Sequence, residues 1–133
     1  MKKRRYITQK EWDILIESIP KSQEYARDRC MLIMMYIHGL RVSELINMSI
    51  SSIDLDSSEI YIRRLKNGFS TTHPIQNDEK KLLQIWLKSR NNQLGNKKSP
   101  LLFISKRNEK ISRQYIYSLV RKYGERAGLP IRL

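Results

Sequence analysis

Three features are scarce in this sequence: cysteine, long apolar runs and acidic residues. It has one cysteine, Cys30, so no internal disulfide can form, which agrees with a reducing compartment. No run approaches the roughly 18 consecutive apolar residues of a membrane-spanning helix. Residues 1–5 are followed by polar residues rather than by the apolar core of a signal peptide. We therefore expect a soluble, intracellular protein with no membrane segment.

The scarcity of acidic residues leaves a large positive charge. The chain has 26 Lys and Arg against 13 Asp and Glu, a formal net charge of +13 over 133 residues. Such an excess is typical of proteins that bind a polyanion, above all a nucleic acid. Lys3, Arg4 and Arg5 form a basic arm that is either solvated or in contact with phosphates. Because 40% of the residues are hydrophobic, we expect one domain with its own core over residues 1–133.

Two helical patterns come first. Thr8 and Glu11 have the spacing of a capping box, which predicts a helix that starts there and ends at Pro20. A second helix is predicted over residues 22–38. Its second half, residues 30–37, is apolar on every side, which is typical of a helix in the middle of a domain.

The second helix is followed by a short turn that carries Arg41. Gly39 suits the left-handed residue that closes a helix, and Ser43 is predicted to cap the next helix. Arg41 is therefore held between a buried helix and the start of another. An arginine in this position either pairs with a carboxylate, such as Glu44 or Asp28, or binds a phosphate.

The middle of the chain has extended rather than helical patterns. Short β-favouring runs lie at residues 52–55, 59–65 and 70–75. The pair Asn67-Gly68 is the strongest two-residue hairpin signal, because both positions tolerate positive φ. We expect a three-stranded antiparallel meander with Lys66 at the tip of its second hairpin.

Helical patterns return in the last part of the chain. Asn77 is predicted to cap a third long helix that fades at Arg90, and residues 101–105 form a short strand or extended piece. Ser112 is predicted to cap a final helix that stops at Gly128. The fold class is therefore α+β, mostly helical with a small three-stranded antiparallel sheet.

Five motifs in this order carry a resemblance to a known family. They are K-R-R-Y at residues 3–6, H-G-L-R-V-S-E-L at 38–45, R-R-L-K-N-G-F-S at 63–70, T-T-H-P at 71–74 and I-S-R-Q at 111–114. The chain resembles the catalytic domain of the tyrosine recombinases, or phage integrases, and within them the fimbrial phase-variation recombinases. The resemblance covers essentially the whole chain.

This resemblance implies roles for particular residues. Arg41 matches the first catalytic arginine, which holds the scissile phosphate through charge-assisted bonds that a guanidinium can make in pairs. Lys66 matches the hairpin lysine that protonates the departing 5′ oxygen. The expected partner is double-stranded DNA, contacted by Arg41, Lys66 and the arm of Lys3, Arg4 and Arg5. The family's reaction needs no metal and no cofactor, because a phosphotyrosine bond stores the energy for religation.

The sequence also departs from the family's pattern. Complete members continue into an H-x-x-R box and a nucleophilic tyrosine, and none of the seven tyrosines here has the context of that nucleophile. We therefore expect the C-terminal part of the fold to be missing, apolar surface to be left uncovered on the second or the last helix, and DNA not to be cleaved by this chain alone.

Three functions remain open at this point. The first is a site-specific recombinase, acting in DNA integration or inversion of the fimbrial type, whose enzymatic activity is lost by truncation. The second is a DNA-binding regulatory module without catalysis, which acts on an intact recombinase or self-associates on DNA. The third is a basic protein for another nucleic acid, with Arg41 in a structural ion pair. The resemblance places the protein in the bacterial cytoplasm, in association with the nucleoid.

Overall fold

Five helices and one small sheet make up the part of the protein that the structure, a computed structural model, describes: residues 8–19, 24–64 and 68–128. The helices are α1 (Gln9–Glu17), α2 (Tyr25–His38), α3 (Val42–Ile46), α4 (Asn77–Leu94) and α5 (Arg113–Arg126). The strands are β1 (Ile53–Asp54), β2 (Glu59–Ile62) and β3 (Thr71–Pro74), and a short 3₁₀ turn spans Ile50–Ser52. This order and the mostly helical composition confirm the predicted α+β class.

The first helix begins at the predicted capping box. The Thr8 hydroxyl accepts the backbone N–H of Glu11 at 3.2 Å, and the Glu11 carboxylate accepts the backbone N–H of Thr8 at 3.1 Å. Two otherwise unpaired amides at the start of α1 are thereby satisfied. The helix ends at Glu17, and the predicted stop at Pro20 lies outside the described residues.

Helix α2 lies in the core and packs against α1, α3 and α4. Met31, Leu32 and Met34 are fully buried on its inner sides. Burial is not complete all round, because Tyr36 and Ile37 remain 37% and 39% exposed. The expectation from the uniformly apolar pattern is therefore too strong, since apolar side chains on a helix do not by themselves supply a neighbour for every side.

The sheet is the predicted antiparallel meander, with strand order β1-β2-β3. Ile60 and Ile62 of β2 point into the core and are fully buried, whereas Tyr61 between them is 47% exposed. This alternation follows from the two-residue period of a strand. The piece at residues 101–105 is not a regular strand, because it makes isolated bridges at Leu101 and Ile104 and bends between them.

Two predicted boundaries of α4 are wrong. The residue that precedes the first turn is Gln76, and Asn77 is already helical. The helix also continues past Arg90 to Leu94. The Arg90 side chain is buried, and its guanidinium donates to the carbonyls of Ser99 and Leu101, both at 2.7 Å. The following loop therefore packs against the end of the helix and stabilises it.

The final helix, α5, begins as predicted. The Ser112 hydroxyl accepts the backbone N–H of Tyr115 at 3.0 Å, as an N-terminal cap does. The helix ends at Arg126, and Gly128 follows in a left-handed conformation with φ +72°. It packs against α1 and α3, and Ile116, Leu119 and Val120 contribute to the core. Among the described residues, no helix has both the length and the apolar character needed to cross a membrane.

Candidate functional site

The turn between α2 and α3 positions Arg41. Gly39 closes α2 with φ +59° and ψ +41°, a left-handed conformation that favours glycine, and Arg41 is extended. Helix α3 begins directly after Arg41, so the prediction that Ser43 caps it is wrong. The Glu44 carboxylate accepts the backbone N–H of Arg41 at 2.8 Å, so a side chain three residues further along satisfies this amide.

An ion pair between Glu44 and Arg64 holds this turn from the other side. Glu44 is 5% exposed, and the Arg64 guanidinium donates to its carboxylate at 3.0 Å. The same guanidinium donates to the backbone carbonyls of His38 at 3.0 Å and Gly39 at 3.1 Å. Carbonyls at the end of a helix have no partner within it. Arg64 therefore joins the end of α2, the first turn of α3 and the segment that follows β2.

The Arg41 side chain itself is exposed. Within residues 8–19, 24–64 and 68–128 its guanidinium has no ion pair and no hydrogen bond. Glu44 is instead paired with Arg64, and Asp28 with Arg27. The alternative in which the Arg41 side chain bridges Glu44 or Asp28 is therefore wrong for the described part of the chain, and its donors face solvent.

The other predicted site residues, Lys66, Lys3, Arg4 and Arg5, lie outside the described residues. What the structure does describe is the flank of the second hairpin. A Cβ atom on Gly68 would lie only 2.7 Å from the Cβ of Arg64, far closer than atoms can approach. The absence of a side chain at Gly68 therefore allows the chain to return directly over Arg64.

Sequence reasoning missed a buried polar chain beside this turn. The His38 Nε2 atom lies 2.5 Å from the Glu79 carboxylate, and both side chains are buried. The His38 Nδ1 atom lies 2.9 Å from the Nδ1 atom of the half-buried His73, whose Nε2 atom is 2.8 Å from the Thr71 hydroxyl. These residues join the end of α2 to β3 and to the start of α4. The signal in the sequence was a histidine at the end of an apolar helix, which needs a polar partner.

The environment of His73 disfavours its charged form. Burial lowers the pKa of His73 from 6.5, and the nearby charges of His38 and Arg64 lower it further. Glu79 acts in the opposite direction but more weakly. Within the described ranges, no group of three or more His, Cys, Asp or Glu side chains is arranged to hold a metal ion.

A second buried polar cluster lies at the other end of α2. Arg27 and Asp28 are each 4% exposed and form an ion pair at 3.0 Å. The Tyr115 hydroxyl of α5 accepts from Arg27 at 2.7 Å and donates to Asp28 at 2.9 Å. Burial raises the pKa of Asp28 even though Arg27 and Tyr115 act against it, and burial together with Asp28 raises the pKa of Tyr115 to about 12.

This cluster borders a cavity of about 470 Å³ between the start of α2 and the loop before α5. Its basic lining residues are Arg27, Lys106, Arg107 and Lys110, and its acidic ones are Glu24 and Glu109. Lys106 is paired with Glu24 at 2.5 Å. The 14 residues of α2, at a rise of about 1.5 Å each, separate this cavity from the Arg41 turn. The two are distinct regions of the surface.

Comparison with known proteins gives matches over nearly the whole chain. A model of the phage integrase family matches residues 5–132. The type 1 fimbriae regulatory protein FimE of Escherichia coli K12 is 41% identical over 128 residues, which cover 96% of this chain and 65% of FimE. The chain thus spans about two thirds of the length of this relative.

Solved structures share the fold. The crystal structure of XerA recombinase superposes with a TM-score of 0.77 at 25% identity, over 98% of this chain and 46% of XerA. The crystal structure of the XerH site-specific recombinase bound to its difH substrate, a pre-cleavage complex, gives a TM-score of 0.77 at 24% identity, over 97% of this chain and 39% of XerH. With a family model that matches nearly its full length, the chain belongs to the phage integrase family.

Proposed function

We propose that this chain forms the DNA-phosphate-binding part of the catalytic domain of a site-specific recombinase, of the type that inverts DNA in fimbrial regulation. Residues 1–133 act as one unit in this proposal. The observation that carries it is the Arg41 turn, which is fixed by Glu44 and Arg64 while the Arg41 guanidinium faces solvent. A rigid backbone with a free guanidinium is the arrangement that a phosphate oxygen requires.

The proposed chemistry is transfer of a DNA phosphate to a tyrosine. A tyrosine of an intact recombinase, not of this chain, loses its hydroxyl proton to water as its oxygen bonds to phosphorus, and the bond from phosphorus to the 5′ oxygen breaks. Arg41 donates to the phosphate oxygens as negative charge gathers on them, and its planar fork can contact two of them at once. Lys66 gives a proton to the departing 5′ oxygen. At most about 7 Å of chain separates Lys66 from Arg64, which contacts the Arg41 turn directly.

Binding without cleavage is the activity that we infer for the 133-residue chain itself. None of its tyrosines has the sequence context of the nucleophile. In the described part of the chain Tyr115 is bound to Asp28, and Tyr36 is stacked on Trp12 at 5.2 Å between ring centroids. The chain would act as a DNA-binding module with a phosphate site. Lys3, Arg4 and Arg5 would add contacts to the DNA backbone.

The partner in this proposal is double-stranded DNA. The net charge of +13 supports it, and XerH, which has the same fold, was crystallised with its difH substrate. Association with an intact recombinase or with a second copy on DNA is part of the proposal, as is a cytoplasmic, nucleoid-associated location. Sedimentation velocity with and without a duplex separates one bound copy from two.

The test compares two arginine variants by fluorescence anisotropy on a labelled 40-bp duplex. Arg41→Gln is expected to weaken binding by about tenfold or more, since a hydrogen bond to a charged group contributes about 1.5–3 kcal/mol. It should also reduce the slope of log K against log salt by about 0.9. The matched control is Arg107→Gln, an exposed arginine at the opposite end of α2. Equal losses of affinity in both variants would show that Arg41 contributes only as a general surface charge.

A second experiment addresses cleavage. A nicked suicide substrate that carries a fimbrial inversion site should trap no covalent adduct with the 133-residue chain, as judged by denaturing gel electrophoresis. An adduct that survives denaturation would disprove the inference that this chain lacks the nucleophile. Its mapping to a tyrosine by mass spectrometry would then identify the residue directly.

A further inference from the structure

We propose that His38 and His73 position the second hairpin against the Arg41 turn through a contact that tolerates only one added proton. The proposal rests on the proposed function for its DNA-binding consequence, whereas the contact itself stands on the geometry of the two rings. His73 is a positioning residue in this proposal, because it acts on phosphate binding through other side chains.

The contact joins the two elements that matter for the site. His38 is the last residue of α2, three positions before Arg41. His73 lies on β3, the strand that leads out of the second hairpin, where it is paired with Ile60 of β2. Arg64, on the segment that enters the hairpin, donates to the carbonyl of His38. Both sides of the hairpin are therefore attached to His38, one through its backbone and one through its ring.

The hydrogens in this chain of groups can be assigned. An ionised carboxylate only accepts hydrogen bonds, so His38 donates through Nε2 to Glu79. With both imidazoles neutral, His38 Nδ1 is then an acceptor, and His73 must donate to it through Nδ1. His73 Nε2 in turn accepts from the Thr71 hydroxyl. Every contact has one donor and one acceptor in this arrangement.

One added proton leaves the histidine contact intact. If the proton binds His73 at Nε2, the Thr71 hydroxyl can rotate and accept from it, and Nδ1 of His73 still donates to His38. If His38 carries the added charge instead, its Nδ1 becomes the donor and Nδ1 of His73 the acceptor. The hydrogen bond between the two rings persists with its direction reversed. A second proton would break the contact. Both rings would then be positively charged, and their N–H groups would face each other at 2.9 Å.

Charged and titratable groups on the neighbouring elements face the pair. Glu79, on α4, accepts a hydrogen bond from His38. Arg64, after β2, opposes charge on His73, and the Arg64 guanidinium is itself paired with Glu44 of α3. Cys30 of α2 lies near Glu79, and its thiol pKa is raised by burial and by that carboxylate, so it contributes no charge. The contact should therefore persist at neutral pH and break in acid.

Imidazole spectra test the contact without any DNA. The chain has two histidines, so long-range ¹H–¹⁵N spectra contain two ring systems, which His73→Gln assigns. At pH 8 we expect His38 with its hydrogen on Nε2 and His73 with its hydrogen on Nδ1. Two separate protonation steps should follow as the pH falls, and the backbone signals of Thr71 and Arg41 should move with the second. Independent titration of the two rings, or a hydrogen on Nε2 of His73 at pH 8, would overturn the proposal.

DNA binding tests the positioning role on a 40-bp duplex between pH 8 and pH 5.5. Added histidine charge alone would strengthen binding in acid, whereas loss of the contact should weaken it about fivefold, at the low end of coupling between linked sites. His73→Asn places an amide N–H near the position of Nδ1 but cannot titrate, so it should bind like the parent at pH 8 and lose the acid weakening. The control Thr72→Ala changes an exposed neighbour on β3 and should keep the parent's profile.

The two experiments distinguish the possible failures. If the parent chain binds no duplex at any pH, the proposed function is wrong, and the imidazole spectra alone decide the histidine contact. If the parent binds DNA but binding strengthens steadily in acid, the positioning role is wrong while the proposed function stands. Circular dichroism at each pH confirms that the variants remain folded.

Discussion

The Arg64 guanidinium donates to the buried Glu44 carboxylate at 3.0 Å, and that carboxylate accepts the backbone N–H of Arg41 at 2.8 Å. One ion pair therefore fixes the backbone of a residue whose own side chain remains exposed. Arg64 pairs with the carboxylate, so the Arg41 guanidinium keeps its donors for a phosphate. An arginine that already bridges a carboxylate has fewer donors to offer.

Removal of Arg64 should destabilise the fold. Arg64→Ala removes this guanidinium from the buried Glu44 carboxylate and from the carbonyls at the end of α2, and loss of a hydrogen bond to a charged group costs about 1.5–3 kcal/mol. Urea denaturation followed by tryptophan fluorescence measures the loss. Arg63→Ala is the matched control, because Arg63 is the preceding residue and is exposed. Equal midpoints for the two variants would show that the ion pair does not contribute.

The Tyr115 hydroxyl should contribute to stability through Asp28. Tyr115→Phe removes one acceptor from Arg27 and one donor to Asp28, with little change of shape. We expect the free energy of unfolding to fall by about 1–3 kcal/mol, as for a buried group that loses its partner. Tyr117→Phe, on the same helix but 40% exposed, should change it little. Thermal denaturation of both variants gives the comparison, and matching melting temperatures would contradict the prediction.

Tyr115 should also be visible in alkaline titration. Its folded-state pKa is raised from 10 to about 12, so the unfolded chain releases this proton first as the pH rises. The stability from this group is therefore complete below pH 10 and is lost as the pH rises toward 12. Absorbance at the phenolate band should show a late step that comes from Tyr115. Tyr115→Phe should remove the late step; its persistence would assign that step to another tyrosine.

Cys30 should be unreactive in the native protein. It is 1% exposed, and burial raises the pKa of its thiol, so the reactive thiolate is both scarce and inaccessible. A disulfide reagent such as Ellman's should label Cys30 only after addition of urea, along the same curve as the fluorescence transition. Fast labelling of the folded chain would indicate local opening of α2. Since Cys30 is the chain's one cysteine, the signal needs no assignment.

Local rules of sequence predicted most of the fold. The capping box at Thr8, the left-handed Gly39, the alternation of Ile60 and Ile62 and the cap at Ser112 each depend on residues close together in the chain, and all are confirmed. Two local predictions are wrong, the caps at Ser43 and Asn77, because α3 already begins at Val42 and α4 at Asn77. The error at the other end of α4 involves longer-range contacts. Helix α4 continues past Arg90 because that side chain binds carbonyls about ten residues further along, which helical periodicity does not reveal.

The candidate site was predictable in part for the same reason. Arg41 stood out because its turn is short and its motif is local. Arg64 and His73 did not, because their roles depend on where the sheet packs against α2. Arg64 acts on Glu44, which is 20 positions away, and His73 acts on His38, which is 35 positions away. A buried carboxylate at Glu44 implies a cationic partner, but several arginines in the sequence met that requirement.

The close approach of Gly68 to Arg64 has a consequence for how this sequence can vary. Any side chain at position 68 would collide with the Cβ atom of Arg64, and even a serine or alanine would push that arginine away from Glu44. A change at position 68 is therefore tolerated only together with a rearrangement at position 64. Because every residue except glycine has a Cβ atom, the glycine of the hairpin should be retained among homologues whatever side chain stands at position 64.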